Sequence, residues 1–149
     1  MKVVLSVDTL EAGDEACQWC SDHFGAGDSV TVVAGVNLLG EFVLGLPPFD
    51  ALGGEPALVR QIERRYCEPL RASGVACEAR LVRHGQARAV TEVARQTGAD
   101  LIVIGKRRHG RVGEALHDET ASHVVHHPPC PVVVVPIGGL TALSSGKEA

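Results

Sequence analysis

The stretch Gly98-Ala-Asp-Leu-Ile-Val-Ile-Gly-Lys-Arg-Arg-His-Gly110 decides the fold. Before it, Ala89, Val90, Val93 and Ala94 recur at helical spacing, and Gly98 is the residue type that closes a helix. Leu101 to Ile104 is then apolar at every position rather than at alternate ones. A run without a polar face is the mark of a strand buried on both sides, as in a parallel sheet covered by helices. Gly105 ends that strand and opens a loop carrying Lys106, Arg107, Arg108, Gly110, Arg111 and Gly113. Helix, doubly buried strand and glycine-bearing loop together make one unit of an α/β fold.

Working towards the start, the same unit recurs. Lys2 to Val7 is a short β-branched run ended by Asp8-Thr9, and Ala16, Cys20 and Phe24 then fall on one helix face. Gly25 to Asp28 marks a turn, and Val30 to Val36 is a second continuous apolar strand. Asn37 to Gly54 is long, rich in Gly and Pro, and reads as a functional flap or a flexible excursion. Pro56 suits a first helical turn, with Val59, Ile62, Tyr66 and Leu70 expected inward and Glu63, Arg64 and Arg65 outward. Pro69 is expected to kink or end that helix, because it lacks an amide donor. Ala76 to Val82 alternates Cys77, Ala79 and Leu81 with Glu78 and Arg80, which predicts a strand with one wet face at the sheet edge. Gly85 turns the chain into the next helix. Beyond Gly110, a last helix is expected over Leu116 to His126, stopped by Pro128-Pro129, and a fifth strand over Val132 to Val135. The polar tail from Thr141 follows, so the domain is expected over 1–137 and the tail over 138–149. Strands alternating with helices imply an open five-stranded parallel sheet with helices on both faces. Ligands of such sheets sit beyond the carboxyl ends of the strands, where Asp8 and Gly105 both lie.

Composition narrows the partners. The chain has 149 residues, the length of one ordinary domain. Its formal charge of -4 gives no field that would steer it to nucleic acid or an anionic membrane. No apolar run approaches the roughly 20 residues that span a bilayer. The Met-Lys start leads straight into a strand. Five cysteines without scaffold spacing point to free thiols in a reducing compartment, with the cytoplasm the expected location. Aromatics are only 3%, which removes a stacking platform for single strands and leaves the core to aliphatic side chains.

The segment from Gly98 to Gly110, with His127-Pro-Pro-Cys-Pro-Val-Val-Val-Val135, resembles the universal stress protein family. Val7-Asp8 after the first strand and the Gly85 loop are similar to that family as well, so the resemblance spans roughly residues 1–136. It implies a Rossmann-like, adenine-nucleotide alpha-hydrolase-like sheet in the order 3-2-1-4-5. It also implies a homodimer paired through the last strand, here Val132, Val133, Val134 and Val135, a bare apolar edge of the kind that invites pairing. Family members that bind ATP resemble one another in a loop of Gly, two residues, Gly, nine residues, then Gly and Ser or Thr. The glycines let backbone amides approach phosphate, and the closing pair sits at a helix N-terminus, where the dipole favours anions. Laid on this chain, those positions are Gly105, Arg108 and Asp118-Glu119, so bulk and two carboxylates stand where bare backbone belongs. The resemblance therefore implies a stress-response module that is not an enzyme, has no required cofactor and lies outside the standard ATP-binding subclass. Asp8 matches the family's adenine-contacting acid. With it, Gly105, Lys106, Arg107, Arg108 and Gly110 form the candidate nucleotide site, in which side-chain charge would hold ATP or AMP. The plainer alternative has Asp8 capping the first helix and the basic loop solvated or paired with Asp118 and Glu119.

Two further groupings carry chemistry by type. Cys17-Gln-Trp-Cys20 has dithiol spacing, but it falls inside the first helix on the face of Ala16 and Phe24, which favours core packing. His123, His126, His127 and Cys130 are the residue types of a transition-metal or thiol sensor, provided that the Pro pair brings Cys130 back to the helix. No catalytic residue is assigned, because no nucleophile and base fall into one grouping.

Overall fold

A computed structural model describes residues 1–7, 10–35, 54–106 and 119–136. The expected flap, Asp8, the loop from Arg107 to Asp118 and the polar tail therefore lie outside the described residues, apart from Gly54. The strands are β1 (Lys2–Ser6), β2 (Ser29–Gly35), β3 (Ala76–Val82), β4 (Leu101–Lys106) and β5 (Val132–Pro136). They form one parallel sheet in the order β3-β2-β1-β4-β5. The helices are α1 (Leu10–His23), α2 (Glu55–Ile62), α3 (Glu68–Ala72), α4 (Gln86–Thr97) and α5 (Glu119–His126), with a π turn (Glu63–Cys67) joining α2 to α3. The edge position expected for Ala76 to Val82 is the one observed, and β5 forms the opposite edge.

Alternation along the strands sorts their side chains to two faces. Val3, Leu5, Val7, Val30, Val32, Ala34 and Val103 pack with α1 and the α2–α3 stretch, whose Leu58, Ile62, Tyr66 and Leu70 are all buried. Val4, Val33, Ile102 and Ile104 pack on the other face with Ala89, Val90, Val93 and Ala94 of α4 and Ala121 and Val124 of α5. That division explains the apolar runs: the residues at the centre of β1, β2 and β4 are buried on both faces, while Ser29 and Thr31 near the start of β2 are half-buried. Gly98 closes α4 in the left-handed conformation, φ 64° and ψ 42°, where glycine alone avoids a Cβ penalty.

The helix containing Pro69 was expected to kink or end at that residue. It does not end there. At the π turn the Glu68 amide reaches back to the Glu63 carbonyl, one residue further than in an α-helix, and α3 restarts with Pro69 in its first turn, where no amide donor is required. The widened turn rotates the helix, so Tyr66 and Cys67, adjacent in sequence, are both buried. The inward face also differs at the start of α2: Leu58 is buried, whereas Val59 is only half-buried. Leu58→Ala should therefore cost about 2–5 kcal/mol in urea unfolding, the range for an emptied core leucine. Val59→Ala should cost less than about 1 kcal/mol, and a reversal of that order would contradict the observed helix phase.

Candidate functional site

The strand order places the switch in connection direction between β1 and β4, and the crevice at their carboxyl ends is the candidate site. On the β1 side, the Val7 amide donates to the Val33 carbonyl at 3.0 Å, so the chain remains attached to β2 up to the residue before Asp8. On the β4 side, Gly105 and the exposed Lys106 lie opposite Val135 and Pro136 of β5. The structure brings Gly105 and Lys106 to this edge, while Asp8, Arg107, Arg108 and Gly110 lie outside the described residues.

Gly105 has a reason to be glycine that involves no ligand. The first turn of α1 crosses directly over it. A Cβ at 105 would stand 2.7 Å from the Ala12 carbonyl carbon, 3.1 Å from the Ala12 Cα and closer still to the Ala12 oxygen. Backbone on backbone leaves nothing flexible to give way, so a side chain there would push α1 off the sheet. The same close approach brings the amino end of α1, the positive end of its dipole, over the crevice.

Beside the crevice lies a polar tie absent from the sequence-based candidates. Gln86, the first residue of α4 and only 6% exposed, donates from Nε2 to Ser6 Oγ at 3.0 Å and to the Val33 carbonyl at 2.9 Å. Its Oε1 accepts from the Gly35 amide at 2.6 Å. Both amide hydrogens and the carbonyl are thus used, and one side chain fastens the carboxyl ends of β1 and β2 to the start of α4. The available signal was weak: a glutamine directly after the Gly85 turn, and a lone Ser6 inside an apolar strand.

Of the other groupings, the cysteine pair resolves as packing. Cys17 and Cys20 are buried, and Cys17 Sγ donates to the Tyr66 carbonyl at 3.5 Å. Burial pushes both thiols up to about 12, which keeps them protonated and poor nucleophiles. The His123 and His127 rings approach edge to face at 6.5 Å between centroids, and both are exposed, as is His126. Cys130 packs instead against the second core. Among the described residues no three His, Cys, Asp or Glu side chains converge as metal ligands, and no helix is long and apolar enough to cross a membrane.

Residues 1–136 match the sequence model of the universal stress protein family. The chain belongs to that family. It is 38% identical over 85 residues to a universal stress protein from Thermus aquaticus, described as lying 3' of a QAH/OAS sulfhydrylase. That match takes in 54% of this chain and 62% of the relative, so the chain spans somewhat less than two thirds of the relative's length. Among solved structures it is similar to a family member from Arabidopsis thaliana with AMP bound, with TM-score 0.70 and 13% identity, over 95% of this chain and 94% of that one. A universal stress protein in complex with cAMP superposes with TM-score 0.60 and 19% identity, over 92% and 97% of the two chains. One from Archaeoglobus fulgidus does so at 0.62 and 18%, over 91% and 93%. At these identities the likeness is one of fold.

Two substitutions test the crevice. Gly105→Ala should destabilise by at least about 1–3 kcal/mol, the range for overpacking, with or without nucleotide present. Equal stability of variant and parent in urea would show that α1 does not rest on Gly105. Gln86→Leu should cost about 1–3 kcal/mol or more, since it leaves the Gly35 amide without its acceptor and takes a donor from the Ser6 hydroxyl and from the Val33 carbonyl, which keeps only the Val7 amide. Amide hydrogen exchange should then rise first at Gly35.

Proposed function

We propose that the protein is a dimeric universal stress protein, a regulatory or protective binding module rather than an enzyme, that does not hold ATP in the manner of the family's ATP-binding members. The observation that carries this reading is the start of α5. The helix opens at Glu119, the position where the ATP-binding loop ends in Ser or Thr. Asp118 precedes it in place of the closing glycine. Carboxylates at a helix N-terminus satisfy its dipole themselves and repel a triphosphate that would otherwise bind there. Arg108 adds bulk at the second glycine position.

The dimer reading rests on β5. Among the described residues β5 pairs only with β4, and Val134 is 36% exposed on it, while Val125 of α5 is 47% exposed at the same end of the sheet. An uncharged outer strand with exposed valines is a surface that a second copy would cover. Soluble, cytoplasmic operation with no nucleic-acid or membrane partner fits the charge of -4 and the free thiols. Sedimentation should give a dimer that Val134→Lys shifts towards monomer; a variant that stays dimeric would move the interface away from β5.

A second reading has adenine nucleotide held at the crevice by side-chain charge from Lys106 and the arginines after it. The AMP and cAMP bound in the two structural relatives favour it. Calorimetric titration with ATP, ADP and AMP separates the two readings. Weak ATP binding that strengthens at least tenfold in the triple variant Arg108→Gly, Asp118→Gly, Glu119→Ser supports the first. Tight binding by the unaltered chain favours the second, and unchanged weak binding in the triple variant overturns the account in which Arg108, Asp118 and Glu119 block the loop.

A further inference from the structure

His123 lies in the last turn of α5, and His127 follows one residue after the helix ends. The His127 amide still donates to the His123 carbonyl, at 3.3 Å, so the helical turn carries through and sets both residues on one flank. Their rings meet edge to face, 6.5 Å between centroids and 73° between planes. Both are exposed, and among the described residues neither ring takes part in a hydrogen bond or an ion pair. His126 is exposed as well, but the ring contact of His123 is with His127. Two imidazoles four positions apart on a helix are the arrangement by which one helix face presents two nitrogen ligands to a single ion.

We propose that His123 and His127 chelate a zinc-class divalent ion, which clamps the last turn of α5 where the chain turns towards β5. Imidazole nitrogen selects borderline ions such as zinc over calcium or magnesium, which require oxygen ligands. Two rings that share one ion, at about 2.1 Å from each nitrogen, have centroids roughly 5 Å apart. The observed separation is somewhat wider, and rotation about the side-chain torsions of two exposed rings closes the difference. The place suits a cation, because the last carbonyls of α5 give that end of the helix its negative partial charge. Among the described residues no third His, Cys, Asp or Glu joins the pair, and Cys130 packs against the second core instead, so water fills the open positions. An ion held by two protein ligands rather than four exchanges with its surroundings, and the site fills and empties with the zinc level. Pro128-Pro129 follow at once and lead into β5, so a filled site stiffens the passage from α5 to the sheet edge.

The test is equilibrium dialysis of the full, untagged chain, freshly reduced and desalted, against zinc chloride, with bound metal measured by elemental analysis. The expected result is one zinc per chain, with an affinity that falls at least tenfold in His123→Ala and in His127→Ala and changes less than twofold in His126→Ala. Calcium at the same concentrations should not be retained. In the unaltered chain, saturating zinc should slow hydrogen exchange at the His127 amide, which closes the clamped turn. All three rings are exposed, so alanine at these positions leaves the core intact, and the exchange reading needs no variant at all. No zinc retained at a large excess over the chain would overturn the proposal. So would loss of binding in His126→Ala with His127→Ala unaffected, or equal binding by the parent and both His123 and His127 variants, which would put the ion on the thiols or elsewhere. Exchange at His127 that ignores bound zinc would likewise dismiss the clamp.

Discussion

Burial of the central strands on both faces is the constraint from which the rest of this structure follows. Once β1, β2 and β4 have helices above and below, no side chain on either face can be polar without a partner inside the protein. Ser6, buried on β1, has such a partner, because its hydroxyl is met by Gln86. Gln86 in turn serves two strands and one helix with a single amide. The helices must also come close enough to exclude water, and α1 does so by resting its backbone on the bare Cα of Gly105. A glycine that would read as a phosphate contact is thus already required by packing.

That double requirement bears on how function is read from this family's loop. A position can keep its residue because the scaffold needs it, while positions around it change freely. In the loop resemblance Gly105 matches while Arg108, Asp118 and Glu119 do not, and the packing of α1 accounts for the one that matches. The amino end of α1 still lies over the crevice, so an anion of another shape retains one favourable dipole there.

Much of the fold was legible in the residues themselves. Leu101 to Ile104 and Val30 onward announced doubly buried strands, and Gly98 its helix end, because these signals are local and period-based. Pro69, expected to kink or end its helix, does not end it: α-helical bonding gives way to a π turn just before it, and the helix then runs on to Ala72 with Pro69 in a first turn, where its missing amide is not needed. Val59 was favoured over Leu58 by one residue of helical phase, whereas Ile62, Tyr66 and Leu70 further along are buried as expected. At the site, Gly105 and Lys106 were found where strand ends predict, but Gln86 was not, since nothing in a lone glutamine shows the hydroxyl, carbonyl and amide that close around it.

The two edges of the sheet are chemically unlike. β3 carries Glu78 and Arg80, paired with each other at 3.0 Å, and β5 carries four valines in succession. A sheet with sticky strands at both ends could polymerise head to tail without limit. With charge at one end and hydrocarbon at the other, any assembly through β5 uses the same edge of both copies and leaves nothing for a third to join. Were two copies to pair in that way, the asymmetry between edges would act as a stop signal, closing the sheet at ten strands from the five described in each copy.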